Sequence, residues 1–345
     1  MGELITFDDV FGQPGAVEFL RRLCRADRLP HAMLFDGPVG VGKARCAAAL
    51  AASFLCLKPR GDLPCGKCES CIVLPSGNHP DYHVIIKELI RYYDKTGKSK
   101  ATVHSIHSIR AELIEKAAHT SVMGRGKFFV IEQADLMSED AQNSMLKTLE
   151  EPAGRAAIVL LSDAPYLLLP TVLSRCQVVR FALLDAALVA RELKQRGIDA
   201  ATAAEAAELS EGSLGGALSL ISDGTLATAR QLRERIEELF AGRAAADLSG
   251  FLSKSAAEYA QKQLERDPLS SKEAATRAAM SLYLHLAAEQ FRRRLHEDGD
   301  SGDLERACRA IDATRRCQMY LDANVNAPVA LGQLAAAWTE EFASA

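Results

Sequence analysis

Cys65-Gly-Lys-Cys68-Glu-Ser-Cys71, with Cys56 shortly upstream, follows a glycine-rich stretch, Gly37-Pro-Val-Gly40-Val-Gly42-Lys43-Ala44. Three cysteines at two-residue gaps can turn three thiolates toward one tetrahedral centre, and a fourth ligand from nearby closes it with no position left for water. Such a centre is structural, and zinc is the metal this ligand type takes. On spacing alone either Cys56 or His79 can be the fourth ligand, although Pro80 and Asp81 after His79 look like a turn entering a strand. A redox Cys-x-x-Cys is the competing reading. Two overlapping pairs that share Cys68 make an awkward dithiol, and no thioredoxin-like pattern surrounds them.

The glycine-rich stretch carries Gly37, Gly40, Gly42 and Lys43 in phosphate-loop register. It lies between a strand-like run and a helix-like one, the context in which backbone N–H groups and a helix N-terminus cradle phosphate. Ala44, however, stands where a serine or threonine hydroxyl would hold magnesium. In an active NTPase of this kind a second strand ends in an aspartate for the metal and a glutamate that activates water. Here Ile131 is followed by Glu132 and Gln133, and an amide cannot take the proton. General-base action typically contributes about 10²- to 10⁴-fold, so its loss together with the magnesium hydroxyl leaves negligible turnover expected. ATP or ADP binding is doubtful on the same residues.

Positioning these groups calls for a sheet. Short apolar runs at Ala32-Met-Leu-Phe35, Tyr82-His-Val-Ile-Ile86, Lys127-Phe-Phe-Val-Ile131, Ala157-Ile-Val-Leu-Leu161 and Gln177-Val-Val-Arg-Phe181 read as buried parallel strands. Helix-like segments at 41–55, 106–118 and 139–151 alternate with them, which builds an α/β domain with helices on both faces over residues 1–181. Ser138 can cap the third of these helices, Ala141, Met145 and Leu149 share one face, and Pro152 stops it. After Phe181 the text turns helical. Residues 182–225, alanine-rich and broken by Gly212, Gly215 and Gly216, read as a small helical unit. Residues 226–345 read as an all-helical domain interrupted at Asp267-Pro268 and Glu297-Asp-Gly-Asp-Ser-Gly302, with Trp338 in its core. Arg91-Tyr-Tyr-Asp-Lys-Thr-Gly-Lys-Ser-Lys100 reads as a solvated basic loop.

Bulk properties restrict the function classes. With 41 Lys+Arg against 45 Asp+Glu the net charge is -4, so no global positive field holds nucleic acid and any DNA contact must be local or shared. The N-terminus lacks the charged-then-apolar pattern of a secretory leader, and no run reaches the roughly 18 apolar residues of a membrane span. Nine cysteines, an odd count scattered outside the cluster as well as in it, do not suit a secreted disulfide framework. A cytoplasmic protein with no membrane partner is expected.

With the loop, the cysteine cluster, Asn78-His-Pro-Asp81, Leu146-Lys-Thr-Leu-Glu-Glu-Pro152 and Thr171-Val-Leu-Ser-Arg-Cys176 in this order, the chain resembles the bacterial DNA polymerase III clamp-loader subunits. The resemblance covers most of the chain. It implies an AAA+ nucleotide-binding domain over 1–181, a helical lid over 182–225 and a collar over 226–345. Leu321-Asp-Ala-Asn324-Val-Asn326 is similar to the closing stretch of that collar. It also implies Cys56 as the fourth zinc ligand, beside Cys65, Cys68 and Cys71.

Two kinds of subunit in this family carry the zinc module, a gamma/tau ATPase and a non-hydrolysing relative. Where gamma/tau has Asp-Glu followed by a histidine two residues on, this chain has Glu132-Gln133-Ala134-Asp135. Its Gly212-Ser-Leu-Gly215-Gly-Ala217 has glycine where the ATPase lid carries a nucleotide-sensing arginine, and no tau-type extension is expected beyond Ala345. The resemblance therefore favours the non-hydrolysing kind, with an active gamma/tau-type ATPase as the alternative. Implied partners are the gamma/tau and delta subunits of a heteropentameric loader, and through the complex a sliding clamp and primed DNA. In Ser174-Arg175-Cys176, Arg175 is implied to reach across the subunit interface to the γ-phosphate held by a neighbour. Such a finger in trans is typically worth about 10³ to 10⁵ in rate, roughly 4 to 7 kcal/mol.

Overall fold

A computed structural model of the chain describes residues 3–93, 104–242, 247–266, 272–296, 301–322 and 325–343. Most of the basic stretch 91–100, the interruption at 267 and 268, residues 297–300 of the next one, and Asn324 lie outside the described residues. The chain divides into two compact units, 1–216 and 217–345.

In the first unit five parallel strands, β1 (Ala32–Asp36), β2 (Tyr82–Ile85), β3 (Lys127–Ile131), β4 (Ala156–Ser162) and β5 (Gln177–Arg180), form one sheet in the order β2-β3-β4-β1-β5. β1 lies between β4 and β5, with Met33 opposite both Val159 and Gln177. The period of two along each strand divides the apolar residues between two cores. Met33, Phe35, Phe128, Val130, Val159 and Leu161 face one side. Leu34, Phe129, Ile131, Ile158 and Leu160 face the other. The first core is completed by α1 (Pro14–Arg25) and α2 (Lys43–Leu55), and the second by the helical stretch 106–118 and by α3 (Glu139–Glu150). Burial on both faces is why the central strands read as continuous apolar runs. β5 departs from the expected buried strand, since of its four residues only Val179 is buried. It is the edge of the sheet, paired on one side alone.

The helices begin and stop where the sequence provides for it. The Ser138 hydroxyl accepts the Ala141 amide at 3.3 Å, Ala141, Met145 and Leu149 are buried, and α3 ends just before Pro152. A short helix, α4 (Pro170–Leu173), leads into β5, and α5 (Ala186–Gln195) and α6 (Ala200–Leu209) follow, each capped by an aspartate, Asp185 and Asp199. α7 (Leu214–Ser222) runs across the boundary between the units.

The second unit is helical throughout its described residues: α8 (Leu226–Phe240), α9 (Leu248–Arg266), α10 (Lys272–His296), α11 (Ser301–Asp322) and α12 (Ala327–Ala343). Its core centres on Trp338, fully buried, whose ring meets Phe291 edge-on at 5.0 Å. The indole N–H donates to Ala310 O at 3.2 Å, the partner a buried tryptophan requires. No helix among the described residues is long and apolar enough to cross a membrane.

Candidate functional site

The phosphate loop joins the C-terminal end of β1 to α2. Gly40 and Gly42 have φ of +75° and +106°, which a side chain would strain. A cleft of about 510 Å³ opens here, at the C-terminal ends of β1, β3 and β4, and brings together Lys43, Ala44, Glu132, Gln133, Ser162 and Asp163. Open parallel sheets place ligands at this end of their strands. The Lys43 ammonium donates to Pro38 O at 2.8 Å and to Gly37 O. Partial burial lowers its pKa, an effect opposed by the carboxylates of Asp163, Asp135 and Asp36. Burial, with Glu88 nearby, raises that of Glu132.

Gln13 fixes the loop from below. Its amide donates to Val41 O at 3.2 Å and to Ala182 O at 2.7 Å, and its oxygen accepts the Ala182 N–H at 3.1 Å. From above, the Ser213 hydroxyl donates to Val39 O at 2.8 Å and the Gly215 amide to Gly40 O at 2.9 Å. A Cβ on Gly215 would stand 2.8 Å from Gly40 Cα, so the loop packs directly on bare backbone. Glycine at 215 is thus required by a close approach. Gln13 does not stand out in the sequence, and Ser213 does so only as part of the Gly212-Ser-Leu-Gly215 motif.

The cysteine module follows α2. The Sγ atoms of Cys56, Cys65, Cys68 and Cys71 all lie within 4.8 Å of one another. Zn–S bonds of about 2.3 Å place tetrahedral sulfurs roughly 3.8 Å apart, and Cys56 Sγ and Cys68 Sγ are separated by 3.9 Å. Backbone amides already point at the sulfurs, Cys65 N–H at Cys56 Sγ (3.2 Å) and Cys68 N–H at Cys65 Sγ (3.4 Å). The amides of Lys67 and Cys68 bring the Cys65 thiol down to about 6, whereas burial pushes Cys56 and Cys71 up. These four cysteines fit a metal ion.

His79 is not part of the cluster. Asp81 N–H donates to its Nδ1 at 3.1 Å, which leaves Nε2–H to donate to Ser70 Oγ at 2.9 Å, and the Ser70 hydroxyl donates to Leu55 O. Both ring nitrogens are therefore spent. A second anchor is Asp62, whose carboxylate accepts Arg25 Nε at 2.7 Å and lies 3.4 Å from an Arg21 Nη, tying the module to α1.

Ser174, Arg175 and Cys176 form the turn between α4 and β5. Ser174 Oγ donates to Thr171 O at 3.2 Å. Cys176 packs against the core, where burial raises its thiol to about 12. Ser174 is exposed and Arg175 is partly so; the Arg175 side chain is 32% exposed and paired with Glu150. It is not among the residues lining the Lys43 cleft.

The model of the family described as "DNA polymerase III, delta subunit" matches residues 12–185, half of the chain. "DNA polymerase III subunit delta'" of Bacillus subtilis is 37% identical over 169 residues, 49% of this chain and 47% of that protein. The subunit of the same name from Pseudomonas aeruginosa is 36% identical over 146 residues, 42% of this chain and 41% of that protein. "DNA polymerase III subunit tau/gamma" of Haemophilus influenzae is 32% identical over 188 residues, 54% of this chain and 25% of that protein. The matches thus span about half or less of these relatives. The matched residues hold the loop, the four cysteines and the Arg175 turn together, and on that ground the chain belongs to the DNA polymerase III delta-prime family of clamp-loader subunits.

Proposed function

We propose that the chain is a non-hydrolysing member of a clamp loader, which helps to place a sliding clamp on primed DNA and supplies Arg175 as an arginine finger to a neighbouring gamma/tau-type subunit. The observation that carries the reading is the lining of the Lys43 cleft. Ala44 and Gln133 share it with Lys43, at the two positions where hydrolysis requires a magnesium-holding hydroxyl and a water-activating carboxylate. The outward Arg175, away from that cleft, supports action on a neighbour's nucleotide rather than on its own.

In this reading residues 1–181 are the AAA+ domain, 182–225 its lid and 226–345 the collar, and the protein works in the cytoplasm with gamma/tau and delta partners. The four cysteines hold zinc, which knits a loop with few apolar residues of its own. Zinc in a closed thiolate set supplies folding energy and no reactive water.

The test is a loader reconstituted with Arg175→Ala. The complex should assemble while its clamp-stimulated ATPase falls by about 10³ to 10⁵ at the site facing this subunit. Unchanged ATPase would remove the finger. The gamma/tau-type alternative, which has relatives of its own, would be favoured by hydrolysis in the isolated chain that Lys43→Ala abolishes.

A further inference from the structure

We propose that Glu150 is a positioning residue that parks Arg175 and competes with the neighbour's phosphate for it; the inference rests on the finger reading above. All three nitrogens of the guanidinium are engaged within the chain. Nε donates to Glu150 Oε1 at 2.6 Å, Nη2 pairs with the same oxygen, and Nη1 donates to Thr171 O at 2.7 Å. In this arrangement the Nε/Nη2 edge of the Arg175 fork is taken up by Glu150, so offering that edge to a phosphate means leaving Glu150.

The placement of Glu150 is a second observation. It is the last residue of α3, with Glu151 as the C-cap and Pro152 directly after. A carboxylate at the C-terminal end of a helix faces the negative end of the macrodipole, where cations are favoured and anions are not. Two successive carboxylates at that end are a local cost, and the Arg175 cation offsets it. The same guanidinium donates to the Thr171 carbonyl in the four-residue α4, so it bridges the C-terminal end of α3 and that short helix.

The strength of the pair fits a latch rather than a lock. Arg175 and Glu150 are 32% and 48% exposed, and exposed pairs are weak. A multiply charged phosphate with two acceptor oxygens outcompetes a single carboxylate oxygen for an arginine fork. Glu150 therefore lowers the population of the extended arginine by roughly two- to fivefold, and an interface that presents phosphate in register overrides it. The effect falls on the unstimulated state. Once clamp and DNA fix the neighbour's nucleotide in place, the arginine is already drawn out.

The experiment uses the reconstituted loader with Glu150→Gln, Arg175→Ala and the double substitution, with ATPase measured without clamp or DNA and with both. Glu150→Gln removes the charge and keeps the size. The expected result is an unstimulated rate raised about two- to fivefold, a smaller stimulation ratio, and a double variant that behaves as Arg175→Ala alone. An unstimulated rate that stays the same or falls, while Arg175→Ala still lowers the stimulated rate, overturns the latch and leaves the finger standing. A change caused by Glu150→Gln in the Arg175→Ala background overturns it too, since the effect would run through another group. If Arg175→Ala itself has no effect, the finger reading falls and the latch with it.

Discussion

The backbone amide of Gly215 donates to the backbone carbonyl of Gly40 at 2.9 Å, with no side chain between them. This contact joins the phosphate loop to the segment where an ATPase of the resembled family carries a sensing arginine. Gly215→Arg should therefore not restore an ATPase. Its Cβ meets Gly40 Cα at 2.8 Å, backbone against side chain, and overpacking of this kind typically costs about 1–3 kcal/mol. A lowered thermal midpoint of the purified chain checks this; an unchanged midpoint would mean the two segments are not packed as described.

Gln13→Ala should destabilise the same loop from the opposite side. It strips partners from Val41 O, Ala182 O and Ala182 N–H. Leaving buried groups unsatisfied costs about 1–3 kcal/mol each at most, and partial hydration reduces the sum. Urea unfolding should show a clear loss of stability, with amide exchange accelerated at Ala182, whose N–H loses its acceptor, ahead of the sheet centre.

Metal removal should act locally first. The four thiols and their amide donors lie in residues 56–71, and the Asp62 link to Arg21 and Arg25 is the module's ionic anchor on α1. A strong chelator should expose this module to protease before the sheet, because the ligands then repel or reprotonate while the two cores remain. Stoichiometric zinc release titrated with a chromogenic indicator measures it. Cleavage beginning elsewhere would contradict the assignment.

Stability should fall on acidification from about pH 6.5 toward 4. Burial, with Lys116 and Lys127 beside it, depresses His83 from 6.5 to about 4, and burial also lowers His104. His104 Nε2 bonds Glu132 O at 2.7 Å while its Nδ1 has no partner, so a second ring proton would have no acceptor. The unfolded chain takes up protons at these histidines near their ordinary pKa, and the folded chain only lower. Unfolding is therefore favoured increasingly as pH drops through this window, and the contribution is complete at higher pH. His83→Phe, which can keep the stack on Phe129, should flatten the dependence measured by urea unfolding at several pH values.

The parts legible in the sequence were those written in neighbouring residues. Ala32–Asp36 and Lys127–Ile131 declared themselves because burial on both faces demands unbroken apolar runs, and Ser138 and Pro152 bracketed α3. Cys65, Cys68 and Cys71 declared themselves by spacing, whereas spacing left Cys56 and His79 both open as the fourth member. What stayed hidden depends on distant pairing. Gln13 meets Ala182 across 169 positions, and Glu150 meets Arg175 across 25. Nothing local marks either, although a carboxylate at a helix C-terminus just before proline is a signal that a cation must come from elsewhere. The half-exposed β5 was misread because an apolar run does not say whether its strand lies at an edge.

ATP hydrolysis by the isolated chain tests the central claim most directly. With magnesium present, wild-type protein and Lys43→Ala should show the same negligible turnover, because in the proposed reading Ala44 and Gln133 stand at the two positions where a magnesium-holding hydroxyl and a water-activating carboxylate are required. Steady magnesium-dependent turnover that Lys43→Ala abolishes would contradict the account.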